Sequence, residues 1–193
     1  MKKIRCSWVS EDKCYQEYHD TVWDRAVVDS NELFAKLCLD GQQAGLSWIT
    51  ILKKQANYEA AFFNFDPVKI STLTEIDVDR LMQNSGIVRN RLKIQSIIKN
   101  AKAYLSIEAS GISFSQYIWQ FVDDKTIINT WTTKSEVPTS TVQSDNMAKD
   151  LKKQGFSFVG TTICYAFMQA VGMLNDHTTD CFCYEKSTLD AKC

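Results

Sequence analysis

Seven glycines and two prolines in 193 residues leave few points at which the chain can break or turn. The apolar positions recur mostly at a period near 3.6, so the pattern predicts an all-α fold, with little support for strands. Asp29-Ser30 is a suitable helix N-cap, and Leu33, Leu37 and Ala44 follow at helical spacing, so one buried helix should run from Asp29 to about Gly41 or Gly45. A second is expected from Ser47 to the break at Phe65-Asp66-Pro67. Thr74 to Gln83 reads as a short helix, Arg89 to about Ser106 as a longer one, and Ser113 to Val122 as another. The Ser/Thr-rich stretch from Thr126 to Asp145, with Pro138, reads as an irregular loop within one domain spanning residues 1–193. A last long helix should contain Gly160 to Leu174.

Composition narrows the functions open to such a fold. Lys plus Arg number 22 against 23 Asp plus Glu, a net charge of -1, so any contact with nucleic acid must come from a local patch. No apolar run approaches the roughly 20 residues of a membrane span, and none follows Met1-Lys2-Lys3 as a signal peptide requires. A cytoplasmic protein without a membrane partner is expected, with reduced thiols or metal ligands among its seven cysteines.

Three constellations carry chemistry. Between the two central helices lies Gly86-Ile87-Val88-Arg89-Asn90-Arg91, a helix-hairpin-helix pattern at about 77–105. The start of its second helix would aim free amides at a DNA phosphate, flanked by Arg89 and Arg91, although a plain helical corner would look the same. Cys6 with His19 and His177 with Cys181 could complete a tetrahedral, closed structural zinc site joining the chain ends. Spacing alone leaves open that the four are unrelated buried residues. Trp8, Tyr15, Tyr18, Trp23 and Trp48 with Asp40 could form an aromatic pocket with one carboxylate, suited to a flipped cationic base, or could simply pack the core. Cys164 with His177 offers a thiol-hydrolase alternative. No phosphate-cradling glycine loop, dinucleotide fingerprint or serine triad is present.

The segments Leu39-Asp40-Gly41-Gln42-Gln43-Ala44-Gly45-Leu46-Ser47-Trp48, Asp66-Pro67-Val68-Lys69, Gly86 to Arg91 and Phe158 to Tyr165 together resemble the 3-methyladenine DNA glycosylase I family of the helix-hairpin-helix glycosylase superfamily. The likeness runs from Cys6 to Cys181. It implies a structural zinc on Cys6, His19, His177 and Cys181, and a base pocket of Trp8, Tyr15, Tyr18 and Trp48 around a catalytic Asp40. It also implies DNA contacts from Gln42, Gly45 and Leu46 in an inserting loop and from Gly86, Val88, Arg89 and Arg91. The expected partner is double-stranded DNA containing alkylated adenine, with free 3-methyladenine as product and a monomer as the working state. No lysine falls in the pocket segments, so strand cleavage through a Schiff base is not expected.

The chain departs from the family pattern in two places. Asp40 stands where the family has glutamate, one methylene longer, which raises the alternative of a catalytically weakened lesion-binding relative. Val22-Trp23-Asp24 stands where the family has Glu-Trp-Gly, and a left-handed backbone at the last position would strain Asp24.

Overall fold

The computed structural model describes residues 3–192, so Met1, Lys2 and the spare cysteine Cys193 lie outside it. In chain order the helices are α1 (Lys13–Thr21), α2 (Ser30–Gln43), α3 (Trp48–Leu52), α4 (Gln55–Ala61), α5 (Pro67–Ser71), α6 (Glu75–Leu81), α7 (Arg91–Ala109), α8 (Phe114–Trp119), α9 (Val142–Lys153), α10 (Thr161–Ala170) and α11 (Tyr184–Leu189). Two strands of two residues, β1 (Ile127–Ile128) and β2 (Leu174–Asn175), pair in parallel. The chain is therefore mostly helical, as expected, with one short parallel bridge that the periodicity did not indicate.

The central helix α2 starts where Asp29 accepts the Glu32 amide, and it buries Leu33, Phe34, Leu37 and Cys38. It packs against α7, α8 and α10, all part of one large apolar core. The helix expected from Ser47 to Phe65 is broken at Lys53-Lys54 into α3 and α4, which lets Lys54 reach the carbonyls of Ser85 and Gly86 at 3.0 and 3.3 Å. The stretch 126–145, expected as a loop, contains the start of α9, capped by Thr141 and burying Met147, Ala148 and Leu151. The helix expected to reach Leu174 ends at Ala170 because Gly172 turns left-handed at φ +70°.

Gly172 also admits the neighbouring turn. A Cβ there would stand 2.5 Å from the Ala26 nitrogen and the Arg25 carbonyl carbon, both backbone atoms that cannot move aside cheaply. Gly172→Ala should therefore cost more than about 3 kcal/mol in urea denaturation, from the clash and the left-handed strain together.

A second, smaller cluster joins the two ends of the chain. Cys6, Tyr18, Trp23, Ala170, Cys181 and Cys183 form its buried part, with Trp8, Tyr15, Trp48 and Leu52 packed against it. No helix among the described residues is long and apolar enough to cross a membrane.

Candidate functional site

At the seam between the two clusters lies a cavity of about 450 Å³. Its lining includes Trp8, Tyr15 and Tyr18 from the N-terminal segment and α1, Asp40 from α2, and Trp48 at the start of α3. The five residues singled out in the sequence therefore share one pocket. Trp8 and Tyr15 tilt together at 5.1 Å between ring centroids, and Tyr18 and Trp48 at 5.4 Å.

Asp40 sits 3% exposed within α2, and its Oδ2 has no hydrogen-bond partner. Burial pushes its carboxyl up to about 8, with the Lys36 ammonium pulling weakly the other way. Trp48 Nε1, on the same cavity, is likewise unpartnered. A buried acceptor and a buried donor left open in one apolar hollow are expensive features that the fold alone does not require. They are what a polar, flat ligand edge would satisfy.

Sequence reading missed the opposite wall. Tyr165 and Gln169, one turn apart on α10, both donate to Asp176 Oδ2, at 2.5 and 2.8 Å. Asn129 and Trp131 donate to its Oδ1, each at 2.7 Å. With four donors Asp176 is fully occupied, so it ties the 129–131 segment to α10 while Asp40 stays open. The signal available was the i,i+4 spacing of Tyr165 and Gln169 facing the Asn175-Asp176-His177 run. Lys134, from a 3-10 turn at residues 134–136, also lines the cavity, so a lysine does stand at the pocket, on its exposed rim.

The loop after α2 is a tight turn in which Ala44 takes φ -45°, ψ 116° and Gly45 φ +74°, the signature of a type II turn needing glycine at its third residue. Leu46 closes the turn and is 40% exposed. Gln42, expected to reach DNA, is instead fully buried. Its side chain donates to the Lys93 carbonyl at 3.1 Å and accepts from Tyr58 Oη at 3.2 Å. Lys93 Nζ in turn donates to the carbonyls of Gln42 and Ala44 at 2.6 and 2.7 Å. The loop is thus strapped to α7 from both sides.

At the expected hairpin, α6 and α7 are joined by the segment 82–90. Gly86 is required there by space and not by a left-handed backbone, since an added Cβ would meet Asn57 at 2.9 Å. Two amides expected to face phosphate are engaged internally: Gly86 with Asn84 Oδ1 at 2.8 Å and Val88 with Tyr58 Oη at 3.1 Å. The Arg91 guanidinium is tied to Glu75 and Asp79 across the hairpin, whereas Arg89 is exposed with no ion pair among the described residues.

Behind the pocket, Cys6 Sγ, His19 Nε2, His177 Nδ1 and Cys181 Sγ converge, all four residues buried and each offering an atom within 4.8 Å of the others. Cys6 lies 3.4 Å from His177 Nδ1, and Cys181 lies 3.5 Å from both His19 Nε2 and His177 Nδ1. A tetrahedron with ordinary zinc–sulfur and zinc–nitrogen bonds has S···N edges of about 3.6 Å, so the donor set fits a metal of that size. The Cys183 and Cys6 thiols and both imidazoles hold the Cys181 thiol far below its ordinary range, while burial holds His177 down and therefore neutral. Trp8 packs on the His19 ring at 5.3 Å and on Trp23 at 5.0 Å, so the Cys/His cluster braces the pocket wall directly. Cys164, by contrast, is fully buried and pushed up to about 12 by burial, which removes the thiol-nucleophile reading.

A helical scaffold carrying an aromatic pocket with one buried, unpartnered carboxyl oxygen suits a flat, cationic ligand. The family model described as methyladenine glycosylase matches residues 8–184, and the chain belongs to that family. It is 56% identical over 180 residues to the DNA-3-methyladenine glycosylase 1 of Escherichia coli K12, covering 93% of this chain and 96% of that one. It is 52% identical over 179 residues to the DNA-3-methyladenine glycosylase of Haemophilus influenzae, covering 93% and 97%. Among solved structures, a crystal structure of 3-methyladenine DNA glycosylase I matches with a TM-score of 0.93 at 55% identity, covering 94% of this chain and 100% of that one. The Staphylococcus aureus enzyme, solved to explain its 3-methyladenine recognition, matches with a TM-score of 0.91 at 39% identity, covering 93% and 96%.

Proposed function

We propose that the chain is a monofunctional DNA glycosylase that hydrolyses the N-glycosidic bond of 3-methyladenine in alkylated duplex DNA. The observation that carries this reading is the unpartnered Asp40 Oδ2 in an aromatic-walled pocket, supported by relatives that bear the corresponding enzyme name. Methylation at N3 makes the base cationic. Its charge draws the ionised form of Asp40, and its exocyclic amine donates to the open Oδ2, while Trp48 Nε1 offers a donor to the ring edge. Trp8, Tyr15, Tyr18 and Trp48 hold the flat faces, which attract a cationic ring.

The chemistry asks little acid catalysis of the protein. The C1′–N9 bond breaks with its electron pair going to the base, which leaves neutral, and the sugar becomes oxocarbenium-like. Water then adds at C1′ and loses a proton. Lys134 stands on the exposed rim and not among the buried pocket residues, so no strand cleavage through a Schiff base is assigned.

On DNA, Leu46 fills the space of the flipped nucleotide, with Gly45 setting the turn and Gln42 anchoring it from beneath. Arg89 supplies the local positive charge of the hairpin. Leu46→Ala should reduce base release from duplex about 5- to 20-fold and leave release from single-stranded substrate nearly unchanged, in a single-turnover comparison of the two.

Cys6, His19, His177 and Cys181 would hold a zinc ion. With four protein donors it supplies a structural crosslink and no open position for water. The direct test of function is incubation of the purified protein with methylated duplex DNA. Release of free 3-methyladenine supports the proposal, and tight binding to the duplex without any released base supports the lesion-binding alternative instead.

A further inference from the structure

Both imidazoles of the metal centre turn one nitrogen toward the thiols and the other toward a carboxylate. His19 faces Cys181 through Nε2 and donates through Nδ1 to Asp20 Oδ1 at 2.9 Å, and Asp20 is itself fixed by a two-pronged Arg5 contact at 2.8 Å. His177 faces the two thiols through Nδ1, and its Nε2 points at Asp24 Oδ2, 3.5 Å away. Neither of these last two buried atoms makes a hydrogen bond, to the other or to any third group.

Asp24 is an unusual place to find a carboxylate. It is 3% exposed, and its backbone holds φ +61°, in the left-handed region that favours glycine and strains a side chain. Serving only the turn, the position would be better filled by glycine. The side chain that is present aims at the one ring nitrogen of the metal centre that would otherwise face a dry interior unsatisfied.

We infer that Asp24 is the positioning carboxylate of His177, fixing the tautomer and ring orientation that present the Nδ1 lone pair to the metal. A neutral imidazole carries one N–H and one lone pair, so a ligand nitrogen at Nδ1 requires the hydrogen on Nε2. Asp24 Oδ2 is the acceptor for that hydrogen. The gap is about half an ångström beyond the usual donor–acceptor distance, and a cation on Nδ1 polarises the ring and strengthens Nε2–H as a donor. Each histidine thereby has its own carboxylate, one from within α1 and one from the turn that follows it.

This inference rests on the reading of the four-residue cluster as a zinc site, and one experiment separates the two. Zinc-loaded wild type, Asp24→Gly and Asp24→Asn proteins are titrated with a competing chelator to obtain their zinc dissociation constants. A residue with only a turn-forming role predicts that Asp24→Gly, relieved of backbone strain, holds zinc as tightly as wild type or tighter. The positioning role predicts the opposite sign: Asp24→Gly weakens zinc binding 10- to 100-fold, and Asp24→Asn, whose amide oxygen still accepts, falls between. Variants as tight as wild type overturn the role of Asp24 and leave the metal centre standing. A wild-type chain that takes up no zinc overturns the metal centre and this inference with it.

Discussion

If the Cys/His cluster holds zinc as proposed, stripping it with a chelator should lower the melting temperature by about 10–20 °C and abolish base release, and both should return when zinc is restored. The size follows from what the four ligands join. Cys6 and His19 come from the first twenty residues and His177 and Cys181 from the last twenty, so the crosslink closes a loop of nearly the whole chain. Structural zinc contributes binding free energy directly to folding, and even a partly preorganised site should supply on the order of 5 kcal/mol. For a chain of this length each kcal/mol corresponds to about 2–4 °C. Without the ion, two thiols and two imidazoles are left buried without their intended partner. The loss spreads to the pocket because Trp8 and Trp23 pack on the ligand histidines, at 5.3 Å from His19 and 4.7 Å from His177. Calorimetry of loaded, stripped and reloaded protein checks this, and a change under about 3 °C contradicts it.

Asp40→Asn should yield a protein that is inactive and, at pH 8, more stable than wild type. The side chain keeps its shape but cannot ionise, so it loses the charge attraction to a cationic base while removing the penalty of a buried carboxylate. The sign follows from proton linkage. In the folded chain burial raises the Asp40 carboxyl to about 8, so between the ordinary carboxylate range and pH 8 the native state holds a proton that the unfolded state has released. Stability present at low pH is therefore lost as pH rises through this window, and the asparagine variant escapes the loss. The melting temperatures should nearly coincide at pH 4, separate by roughly 5 °C or more by pH 8, and separate no further above it. A gap that does not widen with pH contradicts the buried, unpartnered state of Asp40. Stability is thus given up in the free protein for a carboxylate ready to meet its ligand.

Much of this arrangement was legible in the sequence, for identifiable reasons. Asp29 capped α2 as its residue type predicts, and the Leu33, Phe34, Leu37, Cys38 face is long enough for a 3.6 period to stand out. α9 was hidden because its cap and first turn, Thr141 to Ser144, read as loop, and Met147, Ala148 and Leu151 are the only apolar members of its buried face. Strands of two residues are too short to show a period of two. The strain expected at Asp24 is found at φ +61°, whereas its partner His177, 153 positions later, could come only from the fold. The buried roles of Gln42 and Lys93 were equally out of reach, since a glutamine and a lysine read as exposed until their carbonyl partners are seen. The internal use of the Val88 amide likewise depended on Tyr58, thirty residues away.

The central claim is that Asp40, ionised, recognises the cationic base that the enzyme releases. The pH dependence of kcat/KM for 3-methyladenine release from methylated duplex, measured for wild type and Asp40→Asn, tests it most directly. The account predicts a wild-type value rising about tenfold per pH unit below pH 7.5 and levelling above about 8, with Asp40→Asn flat and at least about 100-fold lower. A wild-type profile flat through pH 8, with Asp40→Asn within about threefold of it, would contradict the claim.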